Sequence, residues 1–187
     1  MKHLAGGPLV HRVMLQSRVE TGRDADGGIS ESWTTDETFW ASVLPGAGRE
    51  RAVADQMSAE VTHIVERRYK AGITAKNRLL HDIRASLTDY ASAIGTPWNR
   101  VASTSTPFTA DMVGQYLTIT AGTNWIQGDY RIVGIFSSTA IKVDGSVAAQ
   151  NVSSGTGFVN RQLDIVSVAD VEEAHVTTVM GCVEKMA

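Results

Sequence analysis

Hydrophobic and polar positions alternate with a period of two along much of this chain, which predicts strands. Over residues 11–19, Val13, Leu15 and Ser17 fall on one side and Met14 and Gln16 on the other. Gly and Asp dominate residues 22–28 and predict a turn or hairpin loop. Extended character resumes at 33–38. It sharpens at 39–44, where Phe39, Ala41 and Val43 alternate with Trp40, Ser42 and Leu44 before Pro45-Gly46 ends the strand. The period then changes. Residues 48–62 are rich in helix formers, with Val53, Met57 and Val61 on one face at i, i+4, i+8 spacing. Alternation returns at 62–69 and 77–84, and again near the end at 163–168 and 175–184.

Residues 85–160 have a different texture: Thr, Ser, Gly and Ala dominate and charge is sparse. A loop-like stretch runs through Pro97 and Pro107. Strands are predicted at 116–121, 129–136 and 140–143, and the low-complexity run at 148–157 reads as loop. These composition shifts predict a split organisation. Residues 1–84 and 161–187 form one discontinuous unit, and 85–160 form an inserted small β domain, because a module with neighbouring termini disturbs its host little.

The bulk properties narrow the function. In 187 residues, 43% are hydrophobic and 20% charged, and the formal net charge is −3. That balance argues against a broad nucleic-acid-binding face. One cysteine excludes an internal disulfide. No apolar run approaches the ~20 residues of a membrane span, and the first residues lack the apolar core of a signal peptide. A cytoplasm-like setting without a membrane is expected.

Candidate chemistry is thin. Cys182, in the same segment as His175, offers a conceivable nucleophile–base pair, but a free Cys inside a strand is ordinarily a small buried apolar residue. Asp24 and Asp26 resemble the start of a calcium loop, yet Ile29 and Thr35 stand where Gly and Glu are needed. The two glycines of the run at 46–51 lack the third Gly and the βαβ frame of a dinucleotide site. Five His residues show no zinc spacing. No cofactor, metal or catalytic residue is expected, and no enzyme.

Taken in order, HRVMLQSR, a Gly-containing turn, SW, FWASVLP, GRERAVADQMSAEVTHIVERRYKAGI, NRLL, LDIVSVADVE and VMGCVEK resemble the head–tail connector proteins of long-tailed phages, the head-closure or stopper (head–tail adaptor) family. The matching elements are 11–16, Trp33, 40–45, Glu50, 64–69, Leu80, 165–170 and 179–184. The chain departs from the family pattern at 85–160, which interrupts a hairpin. The resemblance implies a mainly-β fold: a small antiparallel β-barrel with one short helix and a long loop, here interrupted by the inserted domain. It implies an architectural role in the virion neck, assembled in the host cytoplasm, as a twelve-fold or six-fold ring of copies below the portal and its adaptor. That ring would close the filled head and offer a docking surface to a tail terminator or tail tube protein. Genomic DNA would pass through its channel without sequence recognition. On this reading Arg49, Glu50, Arg51 and Asp55 are the expected contacts to ring neighbours and channel, since charges of both signs set register and specificity. Two alternatives stand beside it. One is a tail-terminator or portal-adaptor subunit. The other is a surface- or carbohydrate-binding module on the insert, with Tyr116, Trp125 and Tyr130 as an aromatic shelf.

Overall fold

The computed structural model describes residues 9–23, 27–46, 61–92, 99–105, 107–149, 152–170 and 176–185. The protein is mainly β and antiparallel. Its strands are β1 (His11–Arg23), β2 (Ile29–Pro45), β3 (His63–Arg68), β4 (Arg78–Ser92), β5 (Arg100–Ala102), β6 (Tyr116–Ala121), β7 (Gly128–Ser137), β8 (Ala140–Val143), β9 (Gly155–Asp170) and β10 (Thr177–Glu184). Among the described residues the one helical segment is a 3-10 turn, Ala110–Met112. The helix expected over 48–62 falls almost wholly outside the described residues, and Val61 and Thr62 at its end are not helical.

Backbone contacts divide the chain into two compact units. The first comprises Met1–His81 and Gln162–Lys185; the second is mainly Asp82–Arg161. In the first unit the strand order runs β1-β2-β3-β10-β9 and returns through β4 to β1. Strands closed in this way bury one face. Val13 and Leu15 of β1, Phe39 and Ala41 of β2, Val65 of β3, Leu79 of β4, Leu163 and Ile165 of β9, and Met180 and Cys182 of β10 make a single core. The alternation read from the sequence at 11–15, 39–44 and 62–69 is the in–out alternation around this core.

The second unit has its own core, built from Tyr90, Val101, Phe108, Met112, Leu117, Ile119, Trp125, Ile132, Ile141, Val143, Val147 and Val159. Its strand order, β4-β5-β8-β7-β6, closes through the pairing of β6 with β9. Asp89 on β4 staples the turn after β5. Its carboxylate accepts from the hydroxyls of Ser103, Thr104 and Ser105 and from the Thr104 amide.

The structure corrects the sequence reading at three places. β4 continues to Ser92 where a loop-like stretch was expected, and Tyr90 within it is fully buried. The alternation fails there because Asp82 and Ala85 both adopt left-handed backbone, at φ 53° and 48°, so side chains leave the period-two pattern. The short strand β5 went unread. The low-complexity run at 148–157 is not all loop either: Ala148 bridges Trp125 and β9 begins at Gly155. The small residues are there for space. A Cβ on Gly155 would lie 2.4 Å from the Trp125 ring, and one on Gly157 would lie 2.4 Å from the Thr118 carbonyl oxygen.

That packing predicts a contrast. Gly155→Ala should lower stability by about 1–3 kcal/mol, as overpacking does. Gly134→Ala, whose Cβ would meet nothing within 4 Å, should stay within about 0.5 kcal/mol of wild type. Chemical denaturation followed by tryptophan fluorescence measures both. Equal midpoints for the two variants would contradict the packing of Trp125.

Candidate functional site

The largest departure from a closed sheet lies in the β1–β2 hairpin. β1 pairs with β4 through Met14, Leu15 and Gln16 only. β2 pairs with β3 through Ser42 to Pro45 only. Beyond those points the two strands pair with each other alone, from Ser17↔Thr34 to Arg23↔Ile29. Residues 18–23 and 29–36 are exposed on both faces, Trp33 excepted, which is half-buried. At about 3.3 Å per residue this two-stranded arm extends roughly 20 Å past the core.

The sequence makes the two faces of the arm unlike. Arg18 and Glu20 on β1 face Trp33 and Glu31 on β2, so the charges and the ring share one side. The other side carries Ser17, Val19, Ser32 and Thr34, with Asp36 accepting from the Ser17 hydroxyl at 2.9 Å. On the charged face the Arg18 guanidinium lies 3.1 Å from Glu31 and over the Trp33 ring. Both ions are about half exposed, so the pair orders the hairpin more than it stabilises it. This face, with the turn at 72–77 and Asp164, lines an open cleft of about 770 Å³.

Two buried arginines hold the root of the arm. Arg67 on β3 follows Val65 on the inward side of its strand. Its Nη2 donates to Glu37 at 2.8 Å, and its guanidinium stacks 3.9 Å above Phe39. Lys70 Nζ donates to the other Glu37 oxygen. Arg78 on β4 donates from Nε to Gln16 at 2.8 Å and from Nη1 to Gln162 at 3.1 Å, and lies over Trp33 at 4.2 Å. A charge so enclosed is costly unless its donors are used. Glu37, Gln16 and Trp33 are therefore fixed in place, and with them the direction in which the arm leaves the core. Hydrogen bonds from Arg67 and Lys70 hold the Glu37 carboxyl below its ordinary value of about 4.5.

The residues singled out from the sequence fare differently. Arg49, Glu50, Arg51 and Asp55 lie outside the described residues. So does His175, the suggested partner of Cys182. The thiol itself is fully buried, donating at 3.8 Å to the Met180 carbonyl, and burial, aided by the Asp164 carboxylate, pushes its pKa up to about 12. A thiol in that state is a packing group rather than a nucleophile.

Tyr116, Trp125 and Tyr130 do not form a shelf. Tyr116 and Trp125 are buried. The Trp125 indole donates to the Ser153 carbonyl at 3.2 Å, and Tyr130, half-buried, donates its hydroxyl to Ile126 at 2.8 Å. Among the described residues the exposed aromatic rings are Trp40, on the outward side of β2, and Phe136, under the Arg100 guanidinium at 4.4 Å. Alternation at 39–44 placed Trp40 opposite the core residues Phe39 and Ala41. The strand expected over 11–19, the hairpin loop at 22–28 and the extended run at 33–38 mark a hairpin here, but its reach past the core is not legible because both faces are largely polar. Among the described residues no group of three or more His, Cys, Asp or Glu side chains could hold a metal ion. Nor is any helix among them long and apolar enough to cross a membrane.

These features describe a scaffold with an outreaching β ribbon, and comparison with known proteins places it. The model of the phage head completion protein family matches residues 4–124, well over half of the chain. The chain belongs to that family, a virion component with a structural role in closing the phage head. The matched span contains the whole arm and its root from β1 to β4. No curated protein matches the chain. The solution structure of protein SF1141 from Shigella flexneri 2a is 20% identical over 73% of this chain and 90% of that one, with a TM-score of 0.29.

Two predictions test the site. Glu37→Gln should cost roughly 1–3 kcal/mol at neutral pH, because Arg67 keeps its charge without its anion. A depressed carboxyl stabilises the fold above its unfolded value, and that contribution is lost as pH falls through the folded one. The difference between wild type and variant should therefore shrink on acidification, and thermal melts across pH measure it. A difference independent of pH would contradict the ion pair. Cys182, for its part, should resist iodoacetamide at pH 8 in the native protein and react fully in denaturant; rapid native labelling would contradict its burial.

Proposed function

We propose that copies of this chain form a ring below the portal and its adaptor, seal the DNA-filled head there, and present the surface to which the tail docks. The observation that carries this reading is the head completion match over residues 4–124. The physical character of the chain agrees with it: a closed β core, an ordered polar arm, a buried thiol and a mixed-sign surface suit architecture. The neck is its place in the virion, the host cytoplasm the place of assembly. DNA passes through the ring without sequence-specific contacts, as the net charge of −3 favours sliding over adhesion.

Arg49, Glu50, Arg51 and Asp55 supply contacts to neighbouring copies and the channel. The ring forms on the portal–adaptor platform, where many copies at high effective concentration strengthen polar contacts that are weak singly. The second unit, with a core of its own, is a separable module. Replacing 86–159 by a short Gly/Ser turn leaves the first unit folded and cooperatively melting.

Complementation tests the reading. A phage lacking this gene should package DNA but yield heads that leak it and carry no tails, and the wild-type chain should restore infectious particles. Joint charge reversal at Arg49 and Arg51 should not restore them, while shifting the melting temperature of the free protein by only a few degrees, as surface changes do. Tailed, DNA-retaining particles made without the chain would contradict the head-closure role. Full restoration by the double reversal would contradict only the assignment of those charges.

A further inference from the structure

We infer that the β1–β2 arms of neighbouring copies lie edge to edge and form one continuous intersubunit sheet, β1 of one copy beside β2 of the next. The inference rests on the ring reading above and names the surface through which the copies join.

Three observations carry it. Among the described residues the arm is a place where two adjacent strands both keep open edges. β1 is unpaired on its outer side over 17–23 and β2 over 29–41, since their other partners end at Gln16 and begin at Ser42. Strand edges of this length are ordinarily shortened, bulged, covered or broken by proline. Here neither open edge contains a proline; one bulge, between Glu20 and Gly22, falls at the tip end of the β1 edge, and the charges on the edges are of both signs, which deters like strands less than a single sign would.

Secondly, the arm is complementary to itself. Each copy offers one β1 edge and one β2 edge, and the two strands are antiparallel. Placed side by side about a common axis, the arms give β1–β2 contacts that are again antiparallel. This is a heterologous contact, the kind that generates a closed ring.

Thirdly, the side chains suit that neighbour. Arg18, Glu20, Glu31 and Trp33 occupy one face and Ser17, Val19, Ser32 and Thr34, with Asp36, the other, so any in-phase register sets like face beside like face. Within a hairpin Glu20 stands directly opposite Glu31, and Arg18 pairs with Glu31. In the joined sheet the next copy's β2 brings its own Glu31 to the open side of Arg18. Arg67 and Arg78, by locking Glu37, Gln16 and Trp33, set all arms at one angle before they meet.

Disulfide trapping in virions tests this. Val19→Cys and Ser32→Cys are placed on separate chains and supplied together to a phage lacking the wild-type gene. Because the two cysteines sit on different chains, a bond between them joins two copies. Ser30→Cys and Thr34→Cys replace Ser32→Cys in turn to cover the possible registers, and Cys182 stays, being buried. After oxidation with diamide, at least one pairing should give mixed dimer at ten-fold or more over the Val19→Cys homodimer. Virions holding both chains in many copies, but giving no mixed dimer or bonding only to another virion protein, would overturn the arm sheet and leave the ring standing. Virions with only one or two copies of the chain would overturn both.

If the variants fail to incorporate, hydrogen exchange on wild-type protein decides. Amides of 17–23 and 29–36 should exchange at least ten-fold more slowly in the virion than in the free chain. Equal rates would overturn the inference.

Discussion

A β-strand carries two rows of backbone donors and acceptors, and each row needs a partner. That constraint shapes this protein. Among the described residues β3, β5, β6, β7, β8 and β10 each lie between two other strands, and the strand order closes around each core. β4 and β9 are long because each contributes to both units: Leu79 and Leu163 serve the first core, Tyr90 and Val159 the second. The arm escapes closure. Its cost is an isolated ribbon, a form with marginal stability in water, and the buried arginines at its root offset that by anchoring both of its strands.

The same constraint connects fold to role. A subunit whose edges were all closed would meet its neighbours through side chains alone. One that keeps two open edges on an oriented ribbon carries an interface that only a matching strand can complete. The ring proposed above requires a joint that is rigid once made and absent before the platform is reached. Backbone pairing along a preset ribbon meets both requirements, since a single arm-to-arm contact is weak and a closed circle of them is not.

Where one strand face is buried, the sequence was legible. Val13, Leu15, Phe39, Ala41 and Val65 announce the first core by alternation alone. It was illegible where local chemistry breaks the pattern. Two left-handed residues in β4 hide its continuation to Ser92. Gly155 and Gly157 look like loop because the room they leave is occupied by Trp125 and the β6 backbone. Trp125, a surface ring only on the alternative reading of the insert, sits in a slot walled by Gly155. The arm is partly hidden for another reason: exposed on both sides beyond Val19, it has no hydrophobic period to read there, and cross-strand pairing is what reveals that residues 20–23 and 29–32 are strand. The family resemblance rested on order along the chain, which survives all of these breaks.

The most direct measurement is a cryo-electron microscopy reconstruction of the head–tail junction of the intact virion. The account predicts a closed ring of this chain beneath the portal, with β1 of each arm about 4.8 Å from β2 of the next, the spacing of paired strands. A ring whose arms stand apart, or a junction from which the chain is missing, would contradict it.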